Sequence, residues 1–154
     1  MREGATVCEM GAGDGELSLA AATIVGPGGR VYASELGDDR LKGLRAKIGS
    51  ADSRVTVIAG DPLKTNFPDA ACDAIFMRNV YHHFENPTAM NASIAAALKP
   101  GSEATCPADR GKDGMHGVTA ATVTRELTEA GFTTAVPDVI VQRAFMVVVS
   151  KAQQ

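Results

Sequence analysis

A chain of 154 residues, 45% hydrophobic and 21% charged, fits one domain built on a single core. A net charge of −3 without a long basic run argues against nucleic acid as the main partner, and no segment reaches the roughly 18 apolar residues of a membrane span. The opening Met1-Arg2-Glu3-Gly4-Ala5 does not read as a signal peptide. Cys8, Cys72 and Cys106 lie far apart without a CxxC pair, so a reduced, cytoplasmic setting is expected.

In chain order, Ala5 to Met10 is a short apolar run that reads as a buried parallel strand, broken by Gly11-Ala12-Gly13-Asp14-Gly15. Glu16 to Val25 is a helix rich in alanine and leucine, ended by Gly26-Pro27-Gly28-Gly29. Arg30 to Leu36 is the second strand. Asp38 to Ile48 is a helix with Leu41, Leu44 and Ile48 on one face. Val55 to Ala59 is the third strand, closed by Gly60-Asp61-Pro62, and Cys72 to Met77 the fourth. Pro87 to Leu98 is a helix ended by Lys99-Pro100-Gly101, and Thr119 to Ala130 is another, capped by Gly131. Strands alternating with helices at this spacing predict an α/β fold with a doubly wound, mostly parallel sheet. Right-handed crossovers and one reversal after the third strand give the order 3-2-1-4.

Two expectations concern the end of the chain. Ser102 to Gly117 carries three glycines, a proline and many charges, so a fifth parallel strand is expected to be absent or only a few residues long. Val136 to Val141 and Phe145 to Ser150 are too close for an intervening helix and should form an antiparallel hairpin, with Phe145 to Ser150 covering the edge of the fourth strand. An imperfectly covered edge would favour self-association as a homodimer.

The glycine loop follows the first strand at the carboxyl edge of the sheet, where open α/β sheets bind ligands. Glycine lets the backbone approach a ligand closely, and the next helix presents free N–H groups. A dinucleotide loop has a third glycine where Glu16 stands here, and Glu9, Asp14 and Glu16 would surround a pyrophosphate with carboxylates. S-adenosylmethionine, with an ammonium, a sulfonium and one carboxylate, suits an acidic loop better. Glu9 could orient the ammonium directly or through water. Glu35, ending the second strand, can accept both ribose hydroxyls. Asp61 can reach the adenine amino group, with Leu36 and Pro62 offering apolar contact to the ring. Read alone, Asp61-Pro62 is as well explained by a turn.

Glu9-Met10-Gly11-Ala12-Gly13-Asp14-Gly15 resembles motif I of the class I, Rossmann-like S-adenosylmethionine-dependent methyltransferases, of the small UbiE-like type. Glu35, Gly60-Asp61 and Cys72-Asp73-Ala74-Ile75-Phe76-Met77-Arg78-Asn79-Val80-Tyr81-His82-His83-Phe84 resemble the next three motifs, and Leu98-Lys99-Pro100-Gly101 the segment that introduces a fifth strand. The resemblance implies S-adenosylmethionine as cofactor and S-adenosylhomocysteine as product. It places Glu9, Gly11, Ala12, Gly13, Gly15, Glu35, Leu36, Asp61, Pro62, Arg78 and Asn79 around the cofactor. Tyr81, His82 and His83 are the candidates to face a methyl acceptor, and a histidine there could take a proton from it. The histidine pair equally reads as loop-fixing structure. No second ligand pair has metal-site spacing. Relatives of this family usually carry helices before motif I, whereas here the motif begins almost at Met1 and a single methyltransferase domain without those cap helices is expected. A small-molecule methyltransferase is the leading reading, a cofactor-binding module without independent catalysis the next, and an NAD-dependent oxidoreductase a disfavoured third.

Overall fold

The computed structural model describes residues 1–109, 118–135 and 144–151. The elements run β1 (Thr6–Met10), α1 (Glu16–Val25), β2 (Arg30–Glu35), α2 (Asp38–Ile48), β3 (Val55–Ala59), β4 (Cys72–Met77), a 3-10 turn (Tyr81–His83), α3 (Pro87–Ala97), β5 (Leu98–Asp109), α4 (Ala120–Glu129), β6 (Phe132–Ala135) and β7 (Ala144–Lys151). They form one sheet in the order β3-β2-β1-β4-β5-β7-β6. The parallel order 3-2-1-4 is as expected, with β1 between β2 and β4 and its glycine loop at the centre of the carboxyl edge.

Each helix follows from its local sequence. Ser18, Ala21, Ala22 and Val25 give α1 one buried stripe, and Leu41, Leu44 and Ile48 do so for α2. Asp38 and Asp39 in the first turn of α2, with Arg45 and Lys47 in its last, match the helix dipole. Asn86 caps α3 by accepting from Ala89 N, and Thr119 caps α4 by accepting from Thr122 N. The core divides across the sheet. Val7, Val31 and Ala33 pack with α1 and α2 on one side, and Cys8, Ile75 and Met77 pack with Ile94 of α3 and Leu127 of α4 on the other.

The fifth strand corrects the sequence reading. β5 is 12 residues long and parallel to β4, pairing Ala74 with Glu103, Ile75 with Ala104 and Phe76 with Thr105. Its composition is poor for a buried strand, but an open edge on β4 would leave a row of main-chain N–H and C=O groups without partners, and pairing them outweighs side-chain propensity. The register shifts between Cys72 and Ala74, where Leu98 to Glu103 on β5 spans five steps against two on β4. Lys99-Pro100-Gly101, with Gly101 at φ +75°, fills that bulge.

The edge of β4 is therefore covered by β5, not by the last strand. β7 pairs antiparallel with the far side of β5, from Glu103↔Ser150 to Asp109↔Ala144, and β6 pairs antiparallel with β7. The first arm expected for the hairpin, Val136 to Val141, lies outside the described residues. With the β4 edge paired, the ground for expecting a homodimer is gone.

The cysteines give a second correction. Cys8 on β1 and Cys72 on β4, both fully buried, are joined by a disulfide with Cα atoms 5.9 Å apart. Their distance in sequence hid a contact that the parallel pairing of β1 with β4 creates. The expectation of a reduced setting rested on unpaired thiols and loses that support. Closing a separation of 64 residues stabilises the fold by up to about 4 kcal/mol through the unfolded chain. Thiol titration in denaturant is expected to find two fewer free thiols before reduction than after it, and Cys72→Ala to lower the unfolding midpoint. Equal thiol counts would contradict the bond.

Candidate functional site

The loop after β1 is stitched to the neighbouring strand ends by main-chain hydrogen bonds. Ala12 N donates to Ser34 O at 2.9 Å, and Gly60 N donates to Glu35 O at 2.9 Å. The Glu35 carboxylate reinforces the seam: Oε2 accepts from Gly13 N at 2.6 Å and Oε1 from Leu36 N at 2.9 Å. Gly13 has φ +56°, and a Cβ built on it would meet no atom within 4 Å, so the backbone there faces open space. Gly15 instead serves packing, because a Cβ on it would lie 2.8 Å from both Leu44 and Ile48 of α2.

That open space is a cavity of about 470 Å³ at the carboxyl ends of β1, β2, β3 and β4. Of the residues expected around a cofactor, Gly11, Gly13, Glu35, Leu36, Asp61, Arg78 and Asn79 line it together. Glu9, Ala12, Gly15 and Pro62 do not. Ala12 is buried in the core on the α1 side, Gly15 packs on α2, and Pro62 is exposed outside the cavity. Asp61 serves its turn as well as the cavity, since its Oδ1 accepts from Leu63 N at 2.8 Å. Asn79 takes a left-handed φ of +58°, a conformation asparagine tolerates better than most residues.

Sequence reasoning missed Met10, Ser34, Arg40 and Gly60 on one side of the cavity, and Lys64, Thr65, Val80, Phe84 and Met90 on the other. Met10, Ser34 and Gly60 adjoin residues that the motifs marked. Thr65 and Met90 carry no sequence signal, for only the packing of α3 against the loop after β3 brings them in.

The three acceptor-side candidates separate. His83 lines the cavity and is exposed. His82 is outside the lining and packs against His83, the rings tilted at 45° with centroids 4.0 Å apart. Tyr81 is buried and turned away. Its hydroxyl donates to Glu126 Oε2 on α4 at 2.9 Å and accepts from Asn91 Nδ2 on α3 at 2.8 Å. Tyr81 thus anchors the loop after β4, and its ring packs on Phe84 at 4.8 Å. The expectation that Tyr81 faces an acceptor is corrected on this geometry.

The electrostatics also differ from the sequence argument. None of the loop acids Glu9, Asp14 and Glu16 lines the cavity. Asp14 pairs with Lys47 on α2 at 2.8 Å, and that hydrogen bond holds its carboxyl below the usual range. Glu9 is buried under the loop with the Ser18 hydroxyl donating to it. Burial pushes its carboxyl up to about 7, against the opposing pull of the Ser18 hydrogen bond and of Arg78. The cavity itself carries Glu35 and Asp61 with Arg40, Lys64 and Arg78.

Residues 7–101 match the family described as "Methyltransferase domain". The chain belongs to the class I S-adenosylmethionine-dependent methyltransferases. Its cofactor is S-adenosylmethionine, and the oxidoreductase alternative falls. Among solved structures, an S-adenosylmethionine-dependent methyltransferase from Aquifex aeolicus is similar over 96% of this chain and 82% of its own, with 23% identity and a TM-score of 0.85. Phosphoethanolamine N-methyltransferase 2 from Haemonchus contortus, in complex with S-adenosylmethionine, is similar over 99% of this chain and 50% of its own, with 16% identity and a TM-score of 0.81. The CurJ carbon methyltransferase is similar over 98% of this chain and 49% of its own, with 15% identity and a TM-score of 0.80. Identities this low establish the shared fold alone, and this chain spans about half the length of the last two. No curated protein matches the chain. Among the described residues no helix is long and apolar enough to cross a membrane.

The Glu9 shift gives a stability prediction with a definite sign. Its folded-state value of about 7 lies above the ordinary 4.5, so the stability associated with the neutral acid is full below 4.5 and lost as pH rises through 7. Charging the buried carboxyl costs roughly 3 kcal/mol. Glu9→Gln keeps a partner for Ser18 without the charge, and is expected to raise the unfolding free energy at pH 8 much more than at pH 5. A pH-independent effect would contradict the shift.

Proposed function

We propose that the chain transfers a methyl group from S-adenosylmethionine to a small-molecule acceptor at the cavity between the glycine loop and the turn after β4. The carboxylate of Glu35 carries this reading. It faces the cavity while gripping Gly13 N–H, so an acceptor-only group and a side-chain-free stretch of backbone stand side by side. Such a pair suits a ribose diol beside the rest of a nucleoside.

The residues fit the cofactor in kind and in space. Glu35 has lone pairs free to accept the ribose hydroxyls. Leu36, 44% exposed at the cavity mouth, offers an apolar face to adenine, and Asp61 an acceptor for its amino group. Arg78 and Asn79 stand at the end of β4, on the side assigned to the methionine portion. The bound cofactor supplies an electrophilic methyl group on a good leaving group. The chain supplies position and a partly dry wall built from Val80, Phe84 and Met90. His83, the cavity-facing member of the histidine pair, is the group that holds a proton taken from the acceptor where one must be lost.

The small-molecule assignment draws on the net charge of −3 and the lack of a basic, aromatic-interleaved stretch. With a methyl-labelled cofactor and a cell extract, label is expected in the low-molecular-mass fraction. Label confined to RNA, DNA or protein would overturn it, and cofactor binding without any transfer would favour a binding module.

Two variants test the placement. Glu35→Ala should weaken S-adenosylhomocysteine binding by roughly 1–3 kcal/mol, the range for lost hydrogen bonds to a charged group. Gly13→Asn puts a side chain into the cavity at a left-handed position that asparagine tolerates, so the protein should fold and not bind. Normal affinity in either variant removes that residue from the site.

A further inference from the structure

Lys64 is a cation on the cavity wall that the reading above leaves without a task. The titratable groups on that wall are Glu35, Arg40, Asp61, Lys64, Arg78 and His83. With the histidine neutral, three cations stand against two carboxylates. Those carboxylates do not pair with the cations. Glu35 accepts from the N–H groups of Gly13 and Leu36, and Asp61 from that of Leu63. No ion pair among the described residues includes Arg40, Lys64 or Arg78, whereas Lys47, Arg54 and Lys99 are each paired with an aspartate.

The cofactor adds to this imbalance. Its ammonium and sulfonium outnumber its one carboxylate, so the loaded cavity holds two positive charges in excess. That carboxylate can engage one cation, and Arg78 at the end of β4 stands on the methionine side. Arg40 lies in the first turn of α2, four residues past Leu36, on the nucleoside side. Lys64 is placed differently. It follows Asp61 by three residues and adjoins Thr65, whose N–H donates to Ser93 Oγ of α3 at 3.1 Å. One turn before Ser93, α3 supplies Met90 to the same cavity. Lys64 therefore stands where the polar end of the cavity meets the drier wall of Met90, Phe84 and Val80.

We propose that the methyl acceptor is a small anion, with a carboxylate or phosphate group that Lys64 recognises. The inference rests on the proposed methyl transfer at this cavity. A cationic acceptor would add to the positive excess and a neutral one would leave it standing, while an anion offsets it. The compact ammonium of a lysine accepts either oxyanion, and the pairing is stronger beside a partly dry wall than in water. In the transfer step a lone pair of the acceptor forms the bond to the methyl carbon. The C–S bond breaks, its electron pair stays on sulfur, and the sulfonium charge disappears. A proton lost from the acceptor goes to His83. The contact at Lys64 fixes where the acceptor sits before that step.

The test uses the full chain, methyl-labelled S-adenosylmethionine and the low-molecular-mass fraction of a cell extract. An anion exchanger at neutral pH splits that fraction into retained and unretained metabolites. Label is expected to pass to retained metabolites and not to unretained ones. At limiting acceptor, Lys64→Gln should slow transfer about tenfold or more, the loss expected for one hydrogen bond between charged groups. Lys64→Arg should restore most of the rate. Lys42→Gln, an exposed lysine of α2 outside the cavity, should leave it unchanged. Alkaline phosphatase treatment of the retained metabolites separates the two sources: lost transfer assigns a phosphate, and persistent transfer a carboxylate. Label passing only to unretained metabolites, or a Lys64→Gln rate equal to wild type, overturns the inference and leaves methyl transfer to a small molecule standing. If Lys64→Gln weakens S-adenosylhomocysteine binding by the same factor as the rate, the lysine serves the cofactor and the inference is overturned. Label found only in macromolecules, or no transfer with either fraction, removes the proposed function and this inference with it.

Discussion

The carboxylate of Glu35 is the constraint on which the site depends. One oxygen holds the N–H of Gly13 at 2.6 Å and the other the N–H of Leu36, so one buried side chain fixes the end of β2 to the turn after β1. The main-chain bonds from Ala12 to Ser34 and from Gly60 to Glu35 extend that seam across three strand ends. The parallel order β3-β2-β1-β4 places the three ends side by side, and the cavity opens where they meet. The carboxylate thus serves the fold and, on the proposed function, the ligand. Its two main-chain donors hold it aimed before any ligand arrives, which is the preorganisation that reduces the cost of binding.

Much of this was legible in the sequence because the β1 to α3 segment obeys local rules. Apolar runs of strand length alternate with helices whose buried stripes recur at helical spacing, and glycine or proline punctuates nearly every boundary. Glu35 and Asp61 could be placed at the cavity since each stands at or just past the carboxyl end of a parallel strand, the edge where open α/β sheets bind ligands. The failures share one physical cause. β5, with Glu103, Thr105 and Pro107, lacks the composition of a buried strand and owes its existence to main-chain pairing with β4 on one side and β7 on the other. The Cys8–Cys72 bond likewise exists because β1 and β4 are neighbours, a relation invisible across 64 residues of sequence. Tyr81 looked like a substrate contact from its place beside the histidines, and became a structural anchor once Glu126 and Asn91 arrived from two distant helices. Local pattern predicted elements well, while the consequences of pairing and packing had to come from the fold.

Charge around the cavity shows the same division. Counting acids in the glycine loop pointed to a cationic ligand, yet those acids do not line the cavity: Asp14 is tied to Lys47, Glu16 is exposed on the first turn of α1, and Glu9 is buried. What lines the cavity is Glu35 and Asp61 with the cations Arg40 and Lys64, and Arg78, His83 and the apolar Val80, Phe84 and Met90 towards the loop after β4. A polar end of mixed charge and a drier end with one histidine is the arrangement the proposed function calls for, with a nucleoside at one side and a reacting group at the other.

The central claim, that this cavity holds the methyl-donor cofactor, is tested most directly by calorimetric titration of the chain at pH 7.5 with S-adenosylhomocysteine and, separately, with NAD. The account predicts saturable one-to-one binding of S-adenosylhomocysteine, and no detectable heat of binding from NAD at the same concentrations. Saturable binding of NAD with none of S-adenosylhomocysteine would contradict it.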